Sequence, residues 1–385
     1  MRPEGEHLNI GPDQQLRVGT GQFGIPMTID ELKRNFLLAV EPQYFGDKDD
    51  IRRHYVHIRD QFSKNFMRKV ISTAVSDTES FGIVSGVTSF NGREVRTYMF
   101  DDKARESFSM LSEFLADLTV ISDNLILPDG EELACLVTNV LRARHSGEPI
   151  HFYTPLCPDW SMDAQGRYDF KSLGGKESFI AKKFFKYSPE LLAVFQKHEI
   201  PYKGTLIFAD WGMETDLMDK NTYGTKLAQD DIRMCFDSSY AAVDQRLGEL
   251  QADPETGKLF GPFEVVPMTR FFEQSGMDLE VLDARFRLFF VDDSAGKRLF
   301  TRLAADSCSV NSVRMGISRE KSDEETLENL IDYAVFGHVL SGHGIIVACE
   351  SRTTSIAYNL PRAVNDKVPM FFVKGKGRDM GVNIL

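Results

Sequence analysis

Tryptophan is nearly absent from this chain, with two in 385 residues. Cysteine is scarce too: Cys135, Cys157, Cys235, Cys308 and Cys349 are scattered, odd in number and form no Cys-x-x-Cys pair. That argues against a zinc ribbon, an iron–sulfur site or a disulfide framework, and casts most of them as small buried hydrophobes. No apolar run approaches the roughly 18 residues that cross a bilayer, and Met1-Arg2-Pro3-Glu4-Gly5-Glu6-His7 lacks the apolar core of a signal peptide. The expected location is the cytoplasm. Positive charge is in deficit, 45 Lys and Arg against 57 Asp and Glu, a net charge of −12. An acidic chain without a basic stripe is a poor ligand for a phosphate backbone. The basic clusters at Lys182-Lys183 with Lys186, and at Lys374-Gly375-Lys376-Gly377-Arg378, read as a solvated helix face and a solvated tail. The expected partner is a small molecule, with neither nucleic acid nor membrane implied and a homo-oligomeric state left open.

The composition that remains, 42% hydrophobic and 26% charged, is that of a soluble globular protein. The length suits two domains or one elaborated α/β domain. Residues 1–146 read as a mostly helical section. Thr28-Ile29-Asp30-Glu31 has capping-box spacing and opens a helix to about Val40. A second helix spans about 49–73, and two more span roughly 103–121 and 130–145. Between them, two β-rich runs flank Asn91-Gly92 over residues 81–100, the signature of a type I′ hairpin.

From Pro149 the texture changes to strands alternating with helices. Strands are expected at 149–155, 204–209, 263–267, 342–350 and 368–373. Helices are expected at 176–198, 226–250, 278–307 (two), and from a cap signature at Ser322-Asp323-Glu324-Glu325 to Leu340. This alternation implies a Rossmann-like, mostly parallel sheet with helices on both faces over residues 147–385.

Both tryptophans follow strand runs, in Leu156-Cys157-Pro158-Asp159-Trp160 and in Phe208-Ala209-Asp210-Trp211-Gly212-Met213-Glu214. Ligands of open α/β sheets bind beyond the carboxyl ends of the strands. These two ends and Glu350-Ser351-Arg352 would line one cleft if their strands are neighbours. Asp210 and Asp159 are candidate general bases, each equally readable as a turn cap. Asp210, Glu214 and Asp216 could hold Mg²⁺, which takes hard oxygen ligands, or simply be solvated acids. Cys157 could be a nucleophile. It needs a partner base, and His151, about 20 Å away along an extended strand, is not that base. His343, between two glycines, is the other candidate, and equally an ordinary helix-end turn. Trp160 and Trp211 suit aromatic walls. Arg352 with Ser351, beside Glu350, suits an anionic group, or else Ser351 is a helix cap. Gly174-Gly175-Lys176 precedes a helix and could bind an anion, but lacks phosphate-loop spacing. Gly19-Thr20-Gly21-Gln22-Phe23-Gly24 has dinucleotide-fingerprint spacing but no preceding strand. No His-Glu-x-x-His, Gly-x-Ser-x-Gly or calcium loop occurs.

One stretch, 147–247, resembles the isonitrile synthases of the pyoverdine/dityrosine biosynthesis family. The matching pieces are Gly147-Glu148-Pro149-Ile150, Pro155-Leu156-Cys157-Pro158, Leu173-Gly174-Gly175 and Leu206-Ile207-Phe208-Ala209-Asp210. A lysine expected in the first loop is replaced by Asp159, and Trp211 separates Asp210 from Gly212. The resemblance implies a Rossmann-like core with a small-molecule pocket at these strand ends. It leads to an expected biosynthetic synthase or transferase acting on an amino-acid-like substrate, with a phosphorylated co-substrate. Two alternatives stand beside it: a metal-dependent glycosyl- or nucleotidyl-type transferase built on the Asp210 carboxylate group, and a non-catalytic binding or assembly protein.

Overall fold

The computed structural model describes Thr28, Asp30 and Glu31, then residues 67–90, 92–121, 124–128, 130–156, 161–162, 168–169, 178–209, 229–301, 304, 318–340, 344–349, 358–359 and 367–373. The chain divides into two units. One comprises Met1–Thr119, Asp129–Glu148 and His198–Ile200; the other comprises Val120–Pro128, Pro149–Lys197 and Pro201–Leu385.

The first unit is helical with one hairpin. The capping box forms as its spacing predicts: the Thr28 amide and hydroxyl donate to Glu31 Oε2 at 2.9 and 3.0 Å, and the Glu31 amide donates back to Thr28 Oγ1 at 3.4 Å. Helix α1 is seen over Met67–Ser76, three residues beyond the expected end. Strands β1 (Ile83–Phe90) and β2 (Arg93–Phe100) pair antiparallel from Ile83↔Phe100 to Phe90↔Arg93, which leaves a two-residue turn. Gly92 has φ +74° there, as a primed turn requires. Asp101 then caps α2 (Asp102–Val120), accepting from the Ala104 amide at 2.7 Å. Its other oxygen meets His145 Nε2 at 2.9 Å, near the end of α3 (Gly130–Ser146). Leu111, Phe114, Leu115 and Leu118 of α2, and Leu133, Leu136, Val137 and Val140 of α3, are fully buried. His198 is also buried, against Asp117 at 2.6 Å.

The second unit is the α/β layer expected. Its strands are β3 (Leu125–Ile126), β4 (Ile150–Leu156), β7 (Tyr202–Phe208), β8 (Phe263–Pro267), β9 (Gly344–Ala348) and β10 (Met370–Val373), in the order β3-β10-β9-β4-β7-β8. All neighbours are parallel except β3, an antiparallel edge on β10. A separate two-residue pair, β5 (Ser161–Met162) with β6 (Tyr168–Asp169), follows β4.

Alternation along each strand sends side chains to two covered faces. On one, Phe152 packs edge-on against Phe195 of α4 (Phe179–Lys197) at 5.0 Å. Phe208 meets Tyr240 of α5 (Gln229–Ala252) at 5.9 Å. The short helix α6 (Gly257–Phe260) adds Phe260, 5.7 Å from Phe263. On the other face, Tyr153, Ile207, Ile346, Met370 and Phe372 join Phe272, Phe286, Phe290 and Leu330 in one core. Those come from α7 (Met268–Ser275), α8 (Leu279–Asp292) and α9 (Arg319–Val339).

Several details depart from the expectations. The short helix α6, the eight-residue α7, the edge strand β3 and the β5–β6 pair were not anticipated. Helix α9 begins at Arg319, not at Ser322. The Ser322 amide already donates to the Ser318 carbonyl at 3.0 Å, and its hydroxyl is buried without a hydrogen-bond partner. Ser322 is therefore inside the first turn, and the cap-like spacing did not mark the helix start. Among the described residues, no helix is long and apolar enough to cross a membrane.

Gly204 lets the Phe263 ring lie across β7, since a Cβ there would overlap that ring. Gly204→Ala is expected to cost about 1–3 kcal/mol by overpacking. Denaturant unfolding should show this as a lower midpoint at unchanged slope.

Candidate functional site

The site is built on β4. The Ile150 amide donates to the Pro201 carbonyl at 2.9 Å, and the Ala209 amide donates to the Leu156 carbonyl at 2.7 Å. Ile150, Phe152, Thr154 and Leu156 therefore turn their backbone groups toward β7, and His151, Tyr153 and Pro155 turn theirs toward β9. Pairing with β7 continues to Leu156↔Phe208. Pairing with β9 covers only His151↔Gly344, Phe152↔Ile345 and Tyr153↔Ile346, although β9 continues beside β10 to Ala348. The hydrogen-bond ladder between β4 and β9 thus parts after Tyr153↔Ile346. Pro155 sits where the parting begins. It has no N–H to offer β9, so a residue foreign to a central strand is tolerated here.

This parting coincides with the reversal of strand order. From β4 the chain goes outward to β7 and β8, then returns to β9 on the opposite side and continues to β10. In a doubly wound sheet that reversal opens a crevice beyond the carboxyl ends of the two strands. Two polar features stand near it. Thr154 is fully buried, and its hydroxyl has no hydrogen-bond partner, an expensive arrangement unless something pairs with it. Ser178 caps α4, the helix that follows β4, accepting from the Ala181 amide at 3.1 Å. The amino end of that helix carries the partial positive charge of its free amides.

The proposed site residues all fall outside the described residues: Cys157, Asp159 and Trp160 after β4; Asp210, Trp211, Glu214 and Asp216 after β7; Glu350, Ser351 and Arg352 after β9; Lys176 before α4; His343 before β9. What the structure supplies is the adjacency on which their grouping depended, because β9, β4 and β7 are consecutive neighbours. Gly344, at the start of β9, pairs with His151 at the amino end of β4. Among the described residues, Cys135, Cys235 and Cys349 are buried and outside any disulfide, and no group of His, Cys, Asp or Glu could hold a metal. The Asp210 carboxylate group lies outside the described residues.

Sequence reasoning missed one polar cluster. His151 Nε2 lies 2.7 Å from Thr205 Oγ1 on β7, and that hydroxyl lies 3.5 Å from Glu264 Oε1 on β8. The His151 ring also stacks on Tyr153 at 4.1 Å. Burial, and secondarily Lys203, lowers its pKa from 6.5 to about 4, so it is neutral near pH 7. The cluster ties three strands together at their amino-terminal halves, away from the parted end. Nothing in a single sequence pairs residues 54 positions apart.

No family model and no curated protein matches the chain. Among solved structures, the PvcA protein from Pseudomonas aeruginosa is similar, with 10% identity and a TM-score of 0.35 over 68% of this chain and 76% of that one. The likeness is weak and partial.

The His151 cluster makes stability depend on pH. Between the unfolded pKa near 6.5 and the folded value of about 4, the unfolded chain binds a proton that the folded chain refuses. Stability therefore falls as pH drops through that window, by about 1–3 kcal/mol for this partly exposed group. Urea unfolding at pH 7 and pH 4.5 should show the loss in the parent chain and a smaller one in His151→Gln.

Proposed function

We propose that the chain is a small-molecule biosynthetic enzyme, a synthase or transferase, acting on an amino-acid-like substrate with a phosphorylated co-substrate. The observation that carries this reading is the reversal of strand order between β4 and β9, where their ladder also ends early. It supports a crevice beyond the strand ends that the segments after β4, β7 and β9 leave from. The residue types in those segments suit the chemistry. Asp210 or Asp159 would take a proton from the substrate. Trp160 and Trp211 would flank its apolar part. Arg352 and Ser351 would hold a carboxylate, with Glu350 available to the amino group. The amino end of α4, preceded by Lys176, would receive the phosphate of the co-substrate. Glu214 and Asp216 with Asp210 would suit Mg²⁺ if that phosphate carries a metal, and Cys157 is the nucleophile nearest β4 in sequence. His343, between two glycines before β9, would be the base that Cys157 needs. The residue-level resemblance of 147–247 to the isonitrile synthases points to the same reaction class.

Thermal-shift measurements with a panel of free amino acids and phosphorylated sugars test the reading, and mass spectrometry of the incubated mixtures identifies any product. A stabilising ligand from that panel is expected. Asp210→Asn or Asp159→Asn should abolish turnover, roughly a hundredfold or more for a lost general base, in a protein that still folds. Full turnover in both variants, or a panel without any shift, would refute it. Thr154→Val should change stability by no more than about 1 kcal/mol, since an apolar group of the same shape replaces an unpaired hydroxyl, while weakening the ligand that pairs with it.

A further inference from the structure

Helix α8 is apolar on two opposite sides, and among the described residues only one is covered. Leu282, Phe286 and Phe290 are buried, with Leu279 and Phe289 packed against the same core. The opposite side carries Val281, Ala284, Leu288 and Val291, and Met277 lies just before the helix cap at Asp278. Val281 and Leu288 are each 61% exposed, Val291 43% and Met277 41%, and Ala284 is exposed as well. The steps between the four helical positions are three, four and three, the alternation that keeps residues on the seam of a two-helix coiled coil. Scattered exposed apolar residues are ordinary. Four in heptad register along one helix form a continuous stripe.

We propose that this stripe is a self-association surface, in which α8 packs alongside the α8 of a second copy of this chain, in parallel, about a two-fold axis. With Val281 and Leu288 at the a positions and Ala284 and Val291 at d, the flanking g positions are Glu280 and Arg287, and the flanking e positions are Arg285 and Asp292. A parallel pair sets each g residue against the e residue five positions on in its partner. That places Glu280 opposite Arg285, of opposite sign. Arg287 is already held within its own chain by Glu328 at 2.6 and 2.7 Å and by Asp283 at 3.3 Å, so the pair that selects the partner is Glu280 with Arg285. An antiparallel pair centred on the same stripe would set Arg285 near its own copy. This pair of charges therefore selects the parallel arrangement and a second copy as the occupant. The Arg285 guanidinium lies 5.8 Å from the Phe286 ring centre.

Sedimentation velocity on the full chain over a concentration series tests this. The parent is expected to show twice the chain mass. Val281→Glu and Leu288→Glu should each return it to a monomer with unchanged circular dichroism, raising the dissociation constant at least about tenfold. Glu280→Arg should weaken the dimer, and adding Arg285→Glu to it should restore the dimer. A parent that stays monomeric, or a dimer indifferent to Leu288→Glu, overturns the proposal. A double charge swap that fails to rescue overturns the parallel arrangement.

Discussion

The second unit depends on the backbone hydrogen bonding of β4. This strand is hydrogen-bonded on both sides, buried on both faces, and is the point from which the chain sets out in two directions across the sheet. Its bonds to β7 run the full strand, and its bonds to β9 stop after Tyr153. One residue accounts for the difference. Pro155 directs its missing donor toward β9, so the ladder on that side ends where the ladder toward β7 does not. A proline in the middle of a central strand would normally weaken the sheet. Here it falls at the position where an α/β sheet of this order opens a crevice.

The packing on either side of the sheet follows from the same alternation. Phe152 of β4 meets Phe195 of α4, and Tyr153, on the opposite face, joins the core built by α7, α8 and α9. Aromatic side chains dominate both layers, with Phe184, Phe260 and Phe263 in mutual edge contacts on one side and Phe271, Phe272 and Phe336 on the other. Glycine provides the room. Gly204 and Gly344 each pass beneath a ring, Phe263 and Tyr153, at places where a Cβ would collide. The polar exceptions within these layers are few and specific. His151 and Thr205 satisfy one another, and Thr154 remains unpaired at the end of the strand where a ligand would arrive.

Self-association and small-molecule binding would use different parts of this unit. The apolar stripe of α8 lies on the side of that helix turned away from its core, while the proposed pocket lies beyond the carboxyl ends of β4, β7 and β9. Nothing in the geometry requires one for the other, so each reading stands or falls separately.

Much of the architecture was legible in the sequence because it is local. Hydrophobic period, the Asn91-Gly92 turn and the Thr28-Glu31 capping box each involve residues within a few positions of one another, and each forms as read. Ser322 shows the limit of such signals: the same spacing occurs inside α9, because the chain could continue the helix backward by one turn. The candidate site was legible only as three strand ends of suitable chemistry. Strand order is a choice among pairings between segments up to 248 positions apart, as for Leu125 and Val373, and local patterns carry no information about it. Tertiary structure alone decided that β9 and β7 flank β4, that β3 closes the edge beyond β10, that His151 reaches Thr205, and that one apolar side of α8 is left uncovered.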